Sequence, residues 1–279
     1  MSVLWSAWPL EPRQVLTLAA KEFRDRMRNR WVLAVALVFT AFSLAIAYFG
    51  GAQQGQLGPR SIEFVIASLV SLVIYLVPLI ALLLGFDAVV GERERGSLEL
   101  LLALPLTRLE LLLGKYLGLA AALTLSTLAG FALLGLLLWR QFGAAVLGPY
   151  LGFVASSALL GLAFLSLALL LSVLCRERTR ASGLAIALWF LFVLVFDLLL
   201  LGLLVASGGE WGGQLLAYAL LLNPTDLFRI MNLVSLDQLS SLYGLASIVP
   251  PALARGGLLL GAMLAWIAAP LGLAYWRFR

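Results

Sequence analysis

The chain has 279 residues, 63% of them hydrophobic and 12% charged, with a mean hydropathy of +1.05. A water-soluble domain of this length cannot hide that much apolar surface, so the chain reads as an all-α integral membrane protein solvated by lipid. It carries a formal charge of +5, one cysteine and no histidine, which excludes an internal disulfide, an imidazole metal site and a Ser-His-Asp triad.

In chain order, residues 12–30 (PRQVLTLAAKEFRDRMRNR) come first. Leu16, Ala20, Phe23 and Met27 fall on one helical face, and Glu22 precedes Arg26 by one favourable turn. An N-terminal interfacial helix is predicted. Six transmembrane helices follow, at roughly 31–50, 62–86, 116–138, 149–174, 182–206 and 256–275, each long enough to cross a bilayer. The first begins after a long polar leader and exceeds a signal h-region, so it is expected to stay in the membrane. The whole of 1–279 reads as one transmembrane domain.

Fifteen of the nineteen Lys and Arg lie in residues 1–30, 87–115, 175–181 and 276–279. That bias places both termini and segment 87–115 in the cytoplasm and segment 207–255 outside. Glycine pairs Gly114/Gly118, Gly148/Gly152 and Gly257/Gly261 are expected to pack helices closely.

Segment 91–115, GERERGSLELLLALPLTRLELLLGK, joins spans two and three. Gly91 to Arg95 is predicted to carry span two out of the membrane as a helix. Gly96 suits a left-handed helix end, and Ser97 suits the N-cap of a short helix that Pro105 stops. Thr107-Arg108-Leu109-Glu110 matches a capping box opening the helix into span three. Leu98, Leu100, Leu101, Leu102 and Leu104 then need cover, from the membrane surface or from a partner.

Intramembrane Asp197 in span five is costly and is expected to face a cavity or a second copy. Asp87 and Glu63 are expected at the interface, Cys175 as an inert thiol, and residues 176–180 chiefly as an orientation signal. In the outer segment, residues 214–222 are too short to span. Asn223 is expected to cap a helix with Pro224 at its first position and Asp226 at its third. Ser235, Leu236, Asp237 and Gln238 form another capping box. Short outer-face helices between spans five and six are therefore predicted, serving as a gate, a lid or a docking platform.

GERERGSLELLLALPLTRLELLLGKYLG resembles the cytoplasmic loop of exporter-type ABC permeases, and KEFRDRMRNRW resembles their N-terminal interfacial helix. The resemblance implies that the short segment is a coupling helix docking on an ATPase subunit through Glu92, Glu94, Gly96, Ser97, Glu99, Leu102, Pro105 and Arg108. This chain holds no nucleotide motif of its own. Its Gly114-Lys115 is followed by Tyr116 where Ser or Thr should bind magnesium, and Leu109 stands where the first loop glycine should be. ATP and magnesium are therefore expected on a separate chain, with no cofactor and no catalytic residue here.

NRWVLAVALVF, GGAQQGQLGPRSI, GFDAVVGERERGSLELLLALPLTR and LLNPTDLFRIMNL extend the likeness over nearly the whole chain. They resemble permeases of nitrous oxide reductase maturation systems. That resemblance implies a homodimer in a bacterial inner membrane, a cytoplasmic ATPase dimer, a periplasmic β-helical partner and no nucleic acid. It implies partner docking near Asn223, Pro224, Asp226, Phe228 and Arg229, and a role in assembling copper-sulfur centres. Copper carriage wants soft or imidazole ligands. Cys175, Met231 and Met263 are scattered, so no metal site is drawn and copper is not expected to cross as a ligated ion. An exporter permease for lipid, glycan or drug shares the coupling loop and stays open as an alternative, as does a membrane scaffold. A membrane enzyme has the least support.

Overall fold

Straight-chain and small apolar residues dominate the hydrophobic runs, and in lipid a helix satisfies its own backbone. A computed structural model of the protein describes residues 11–28, 30–49, 62–206, 218–234 and 255–278. Among these, the regular structure is helical: α1 (Pro12–Met27), α2 (Arg30–Phe49), α3 (Ile62–Gly85), α4 (Val90–Glu94), α5 (Ser97–Leu102), α6 (Arg108–Phe142) and α7 (Leu147–Leu174). Next come α8 (Arg178–Ala206), α9 (Pro224–Val234) and α10 (Gly256–Phe278). The outer loop GGAQQGQLGPRSI lies almost wholly outside the described residues, as do the capping box at Ser235 and most of 214–222. The side chain of Glu63 is outside them too.

Among the described residues, five stretches are long and apolar enough to cross a membrane: Val65–Glu94, Arg108–Phe142, Ala144–Leu174, Arg178–Ala206 and Gly256–Phe278. They coincide with five of the six expected spans. Over the remaining one, 31–50, α2 is helical, but its described apolar stretch, Ala36–Ile46, is shorter than a crossing.

Helix α7 is the centre of the bundle, packed against α3, α6 and α10, while α2 lies on α6. Aromatic rings run across it: Phe39 meets Phe131 at 5.3 Å, Phe131 meets Phe153 at 5.4 Å, and Phe153 meets Phe228 at 6.2 Å. This row ties α2, α6, α7 and α9 together with edge-to-face and tilted contacts. Span α8 is the exception, with only 11% of its apolar window covered by the rest of the chain.

Helix α1 lies on α6 through Val15, Leu18, Ala19 and Glu22. The predicted face is a different one: Leu16 remains 63% and Met27 40% exposed. The neighbour decides this, because α6 presents two glycines, with Leu18 lying over Gly114 and the backbone at Ala19 over Gly118. A Cβ on Gly118 would lie 2.6 Å from the Ala19 carbonyl oxygen and 2.7 Å from the Glu22 Cβ. The other two predicted glycine pairs, Gly148/Gly152 and Gly257/Gly261, meet nothing within 4 Å. Of the three predicted pairs, Gly114/Gly118 alone packs helices within the described residues.

Gly118→Leu is accordingly expected to lever α1 off α6 and to cost about 1–3 kcal/mol, as overpacking does. Trypsin should then cut faster at the basic residues of α1, whereas Gly148→Leu should leave the cutting rate unchanged. Equal rates in the two variants would disprove the close contact.

Candidate functional site

The connection between α3 and α6 carries a dense set of polar contacts. The expected continuous helix out of span two is interrupted: Phe86–Val89 form turns before α4 begins. At the break, the backbone N–H groups of Val89 and Val90 donate to the Ser172 hydroxyl of α7, at 2.8 and 3.0 Å. A serine on a neighbouring span thus replaces two ladder partners. Gly96 ends α4 in the left-handed region, φ 71°, as expected. Ser97 is not the N-cap. Gly96 holds that position, and the Ser97 hydroxyl donates back to the Glu92 carbonyl at 3.3 Å. A left-handed glycine serves both helices at once, which leaves the cap no room one residue later.

Helix α5 ends at Leu102. Thr107 closes the predicted capping box: its side chain accepts from the Glu110 N–H, and the Glu110 carboxylate accepts from the Thr107 N–H at 2.7 Å. Glu110 also accepts from the Glu11 N–H at 2.7 Å, which ties the start of α1 to the start of α6.

The family resemblance implies one docking surface of eight residues, and these differ in exposure. Glu94, Gly96, Glu99, Pro105 and Arg108 are exposed, and Ser97 and Leu102 are half-buried. Glu92 is turned inward and buried. Its carboxylate accepts from Lys115 Nζ at 2.6 Å, and the same ammonium lies 3.5 Å from Glu22 of α1. Lys115 is 1% exposed and joins three helices, α1, α4 and α6. The signal for it was present in the sequence: a lysine inside an apolar helix needs a buried carboxylate.

Other residues fasten the same arm. Arg93 donates to the carbonyls of Val173 and Cys175 at the end of α7. Arg178 pairs with Asp87 at 3.0 Å, and its backbone N–H donates to Glu94. Segment 176–180 therefore has a structural task beyond orientation. Arg108 donates to the Phe278 carbonyl at 2.7 Å and so reaches the last turn of α10. Burial pushes the Cys175 thiol up, against the pull of Arg180 and Arg93, so the thiol stays protonated and unreactive at neutral pH.

What remains uncovered on α5 and just beyond it includes two leucines beside charged residues. Leu98 is buried, whereas Leu100 is 73% and Leu104 49% exposed. They stand among the charges of Glu94, Arg95 and Glu99. An apolar knob with a charged rim, on an arm braced to α1, α6, α7, α8 and α10, has the make-up of a protein-docking element.

A second polar cluster joins α9 to the middle of α8. Asn223 caps α9, its side-chain oxygen accepting from the Thr225 N–H at 3.0 Å. Asn223 and Thr225 also donate to the Phe192 carbonyl, at 2.9 and 3.1 Å. Phe192 belongs to a π-helical turn, Leu191–Val195, in the middle of α8. Such a turn frees backbone acceptors, and the α9 side chains use this one. Arg229 bridges Asp226 and Asp197, with its contact to Asp197 at 3.1 Å. Asp197 therefore meets a partner inside this chain.

Asn223, Pro224, Asp226 and Phe228 are buried, and Arg229 is partly so. The first four thus seat α9 among α3, α7 and α10 and present no free face. Tertiary burial of an amphipathic eleven-residue helix is the reason, and single-sequence reading has no access to which neighbour covers it. Burial pushes the Asp226 carboxyl up to about 7; Arg229 pulls it down and Asp197 pushes it up.

With this geometry in view, the family is plain. Residues 16–279 match the family described as ABC-2 family transporter protein, and the chain belongs to it. It is an ABC transporter permease. It is 48% identical over 271 residues to "Probable ABC transporter permease protein NosY" of Pseudomonas aeruginosa PAO1, a match covering 95% of this chain and 98% of that one. It is 46% identical over 270 residues to the protein of the same name from Stutzerimonas stutzeri, with coverages of 95% and 98%.

Proposed function

We propose that the chain is the permease subunit of an inner-membrane complex that couples ATP hydrolysis on a separate polypeptide to copper-centre assembly in nitrous oxide reductase. Supporting this reading are the NosY likeness over 95% of the chain and, above all, the exposed α5 knob on its braced arm. In this reading both termini and α5 are cytoplasmic, and two copies of the chain pair with an ATPase dimer that carries ATP and magnesium. A periplasmic β-helical protein docks at the opposite face. Glu94, Ser97, Glu99, Leu102, Pro105 and Arg108 meet the ATPase together with Leu100 and Leu104, and Gly96 sets their angle. Glu92 acts behind them, carrying load into α1 and α6.

Among the described residues no group of three or more Asp, Glu, Cys or His side chains is placed to hold a metal ion. Met263 is fully buried in the core, where it fills space as methionine does. In this reading the work done is conformational transmission, or export of a sulfur species, rather than passage of ligated copper. At the far face α9 is the element that passes motion on: Asn223 and Thr225 clasp α8 while Arg229 holds Asp197. A passive scaffold has no use for a charged joint between three helices, and a lipid, glycan or drug exporter would lack the periplasmic partner.

The test is co-purification from native membranes. Leu100→Glu with Leu104→Glu is expected to reduce ATPase recovery at least tenfold, because two apolar anchors become charges in a buried contact. The permease itself should melt as before. Wild-type ATPase recovery with this pair of changes would refute the docking surface, and recovery of an ATPase without a periplasmic β-rich protein would favour a generic exporter.

A further inference from the structure

We propose that the free face of α1 is a binding surface for anionic lipid headgroups, and that Arg13, Arg24 and Arg28 recognise them. Three faces divide this helix. One, made by Val15, Leu18, Ala19 and Glu22, is buried on α6. A second is the apolar line predicted from the sequence, and it faces away from the protein: Leu16 is 63% and Met27 40% exposed, Ala20 is exposed and Phe23 half-buried. The third lies about a quarter-turn further round at 3.6 residues per turn and holds Arg13, Arg24 and Arg28, all exposed.

Charge complementarity selects the occupant. The other charges on the helix are largely matched internally: Arg26 pairs with Glu22 at 3.3 Å and Lys21 approaches Asp25 at 3.9 Å. Among the described residues, Arg13, Arg24 and Arg28 have no carboxylate within ion-pair distance. An apolar line flanked by unmatched guanidinium groups fits a surface that is greasy below and negative above, which is the headgroup boundary of an anionic leaflet. Placement agrees: α2 begins at Arg30, so the C-terminal end of α1 sits where the chain turns into an apolar helix. Arginine also forms forked bonds to phosphate oxygens that lysine does not.

The experiment uses the full chain in nanodiscs of phosphatidylcholine, with or without phosphatidylglycerol. Spin-labelled lipids report selectivity. A nitroxide at Leu16→Cys, in a Cys175→Ser background, reports depth. Wild type is expected to favour phosphatidylglycerol severalfold, at about fivefold per engaged arginine as an upper limit, and to lose the preference in high salt. R13Q/R24Q/R28Q should bring the ratio to about one while leaving the buried face and the melting temperature intact. The Leu16 nitroxide should be open to oxygen and shielded from a water-soluble nickel chelate. Equal retention of the two lipids by wild type would overturn the proposal, as would an unchanged preference in the triple variant. So would a nitroxide shielded only after an ATPase subunit is added, since the face would then belong to a protein. None of these readouts depends on ATP hydrolysis.

Discussion

Lys115→Met is expected to destabilise the chain by about 3–5 kcal/mol, the cost of leaving buried carboxylates without their cation. Lys115 is 1% exposed, Glu22 7% and Glu92 9%, so solvent cannot screen what remains. One oxygen of Glu92 is already buried without a hydrogen-bond donor among the described residues, and Lys115 Nζ at 2.6 Å from its other oxygen is the group that compensates. Removing all three charges together, as E22Q/K115M/E92Q, should recover most of the loss, because a neutral joint has no ion to desolvate. Unfolding in mixed micelles reads both variants. A Lys115→Met protein as stable as wild type, or a triple variant as damaged as the single one, would show that the three charges do not act as a unit. If the joint carries load as proposed, Lys115→Arg should keep ATPase coupling, and the neutral triple variant should fold but uncouple.

Arg229→Met is expected to cost about 2–3 kcal/mol, less than the Lys115 change because Arg229 is a third exposed and partly screened. Its partner Asp226 is 1% exposed and loses its cation, while Asp197 loses one of the contacts that join α8 to α9. The pH dependence has a definite sign. Folding raises the Asp226 carboxyl from 3.8 to about 7, so between those values the folded state binds the extra proton. Stability from this group therefore falls as pH rises through that window. Without Arg229 the carboxyl moves higher and the loss extends to more alkaline pH. Asp226→Asn should flatten the profile. Melting temperatures of the three proteins at about pH 5 and pH 8 decide it; a wild-type profile flat across that range would remove Asp226 as the titrating group.

Much of this was legible in the residues because it depends on local chemistry. A mean hydropathy of +1.05 requires lipid, and apolar runs of about twenty residues require helices. Gly96, Thr107 and Glu110 announce the breaks of the 91–115 segment because left-handed glycine and capping boxes act within four residues of chain. Asn223 announces the start of α9 for the same reason. These are contacts between near neighbours, and the order of residues determines them.

The rest rests on neighbours distant in sequence. Periodicity marked Leu16, Ala20, Phe23 and Met27 as the apolar face of α1, yet the helix buries Val15, Leu18, Ala19 and Glu22, with Leu18 over Gly114 and the Ala19 carbonyl and Glu22 Cβ over Gly118. Glu92 read as surface until Lys115, 23 residues on, reached it. Ser172 fills a backbone gap 83 residues away, and Phe192 takes the Asn223 amide across 31 residues. A sequence lists which groups need partners; which partner each one meets is set by the packing of whole helices, where close approach and desolvation outweigh any local preference.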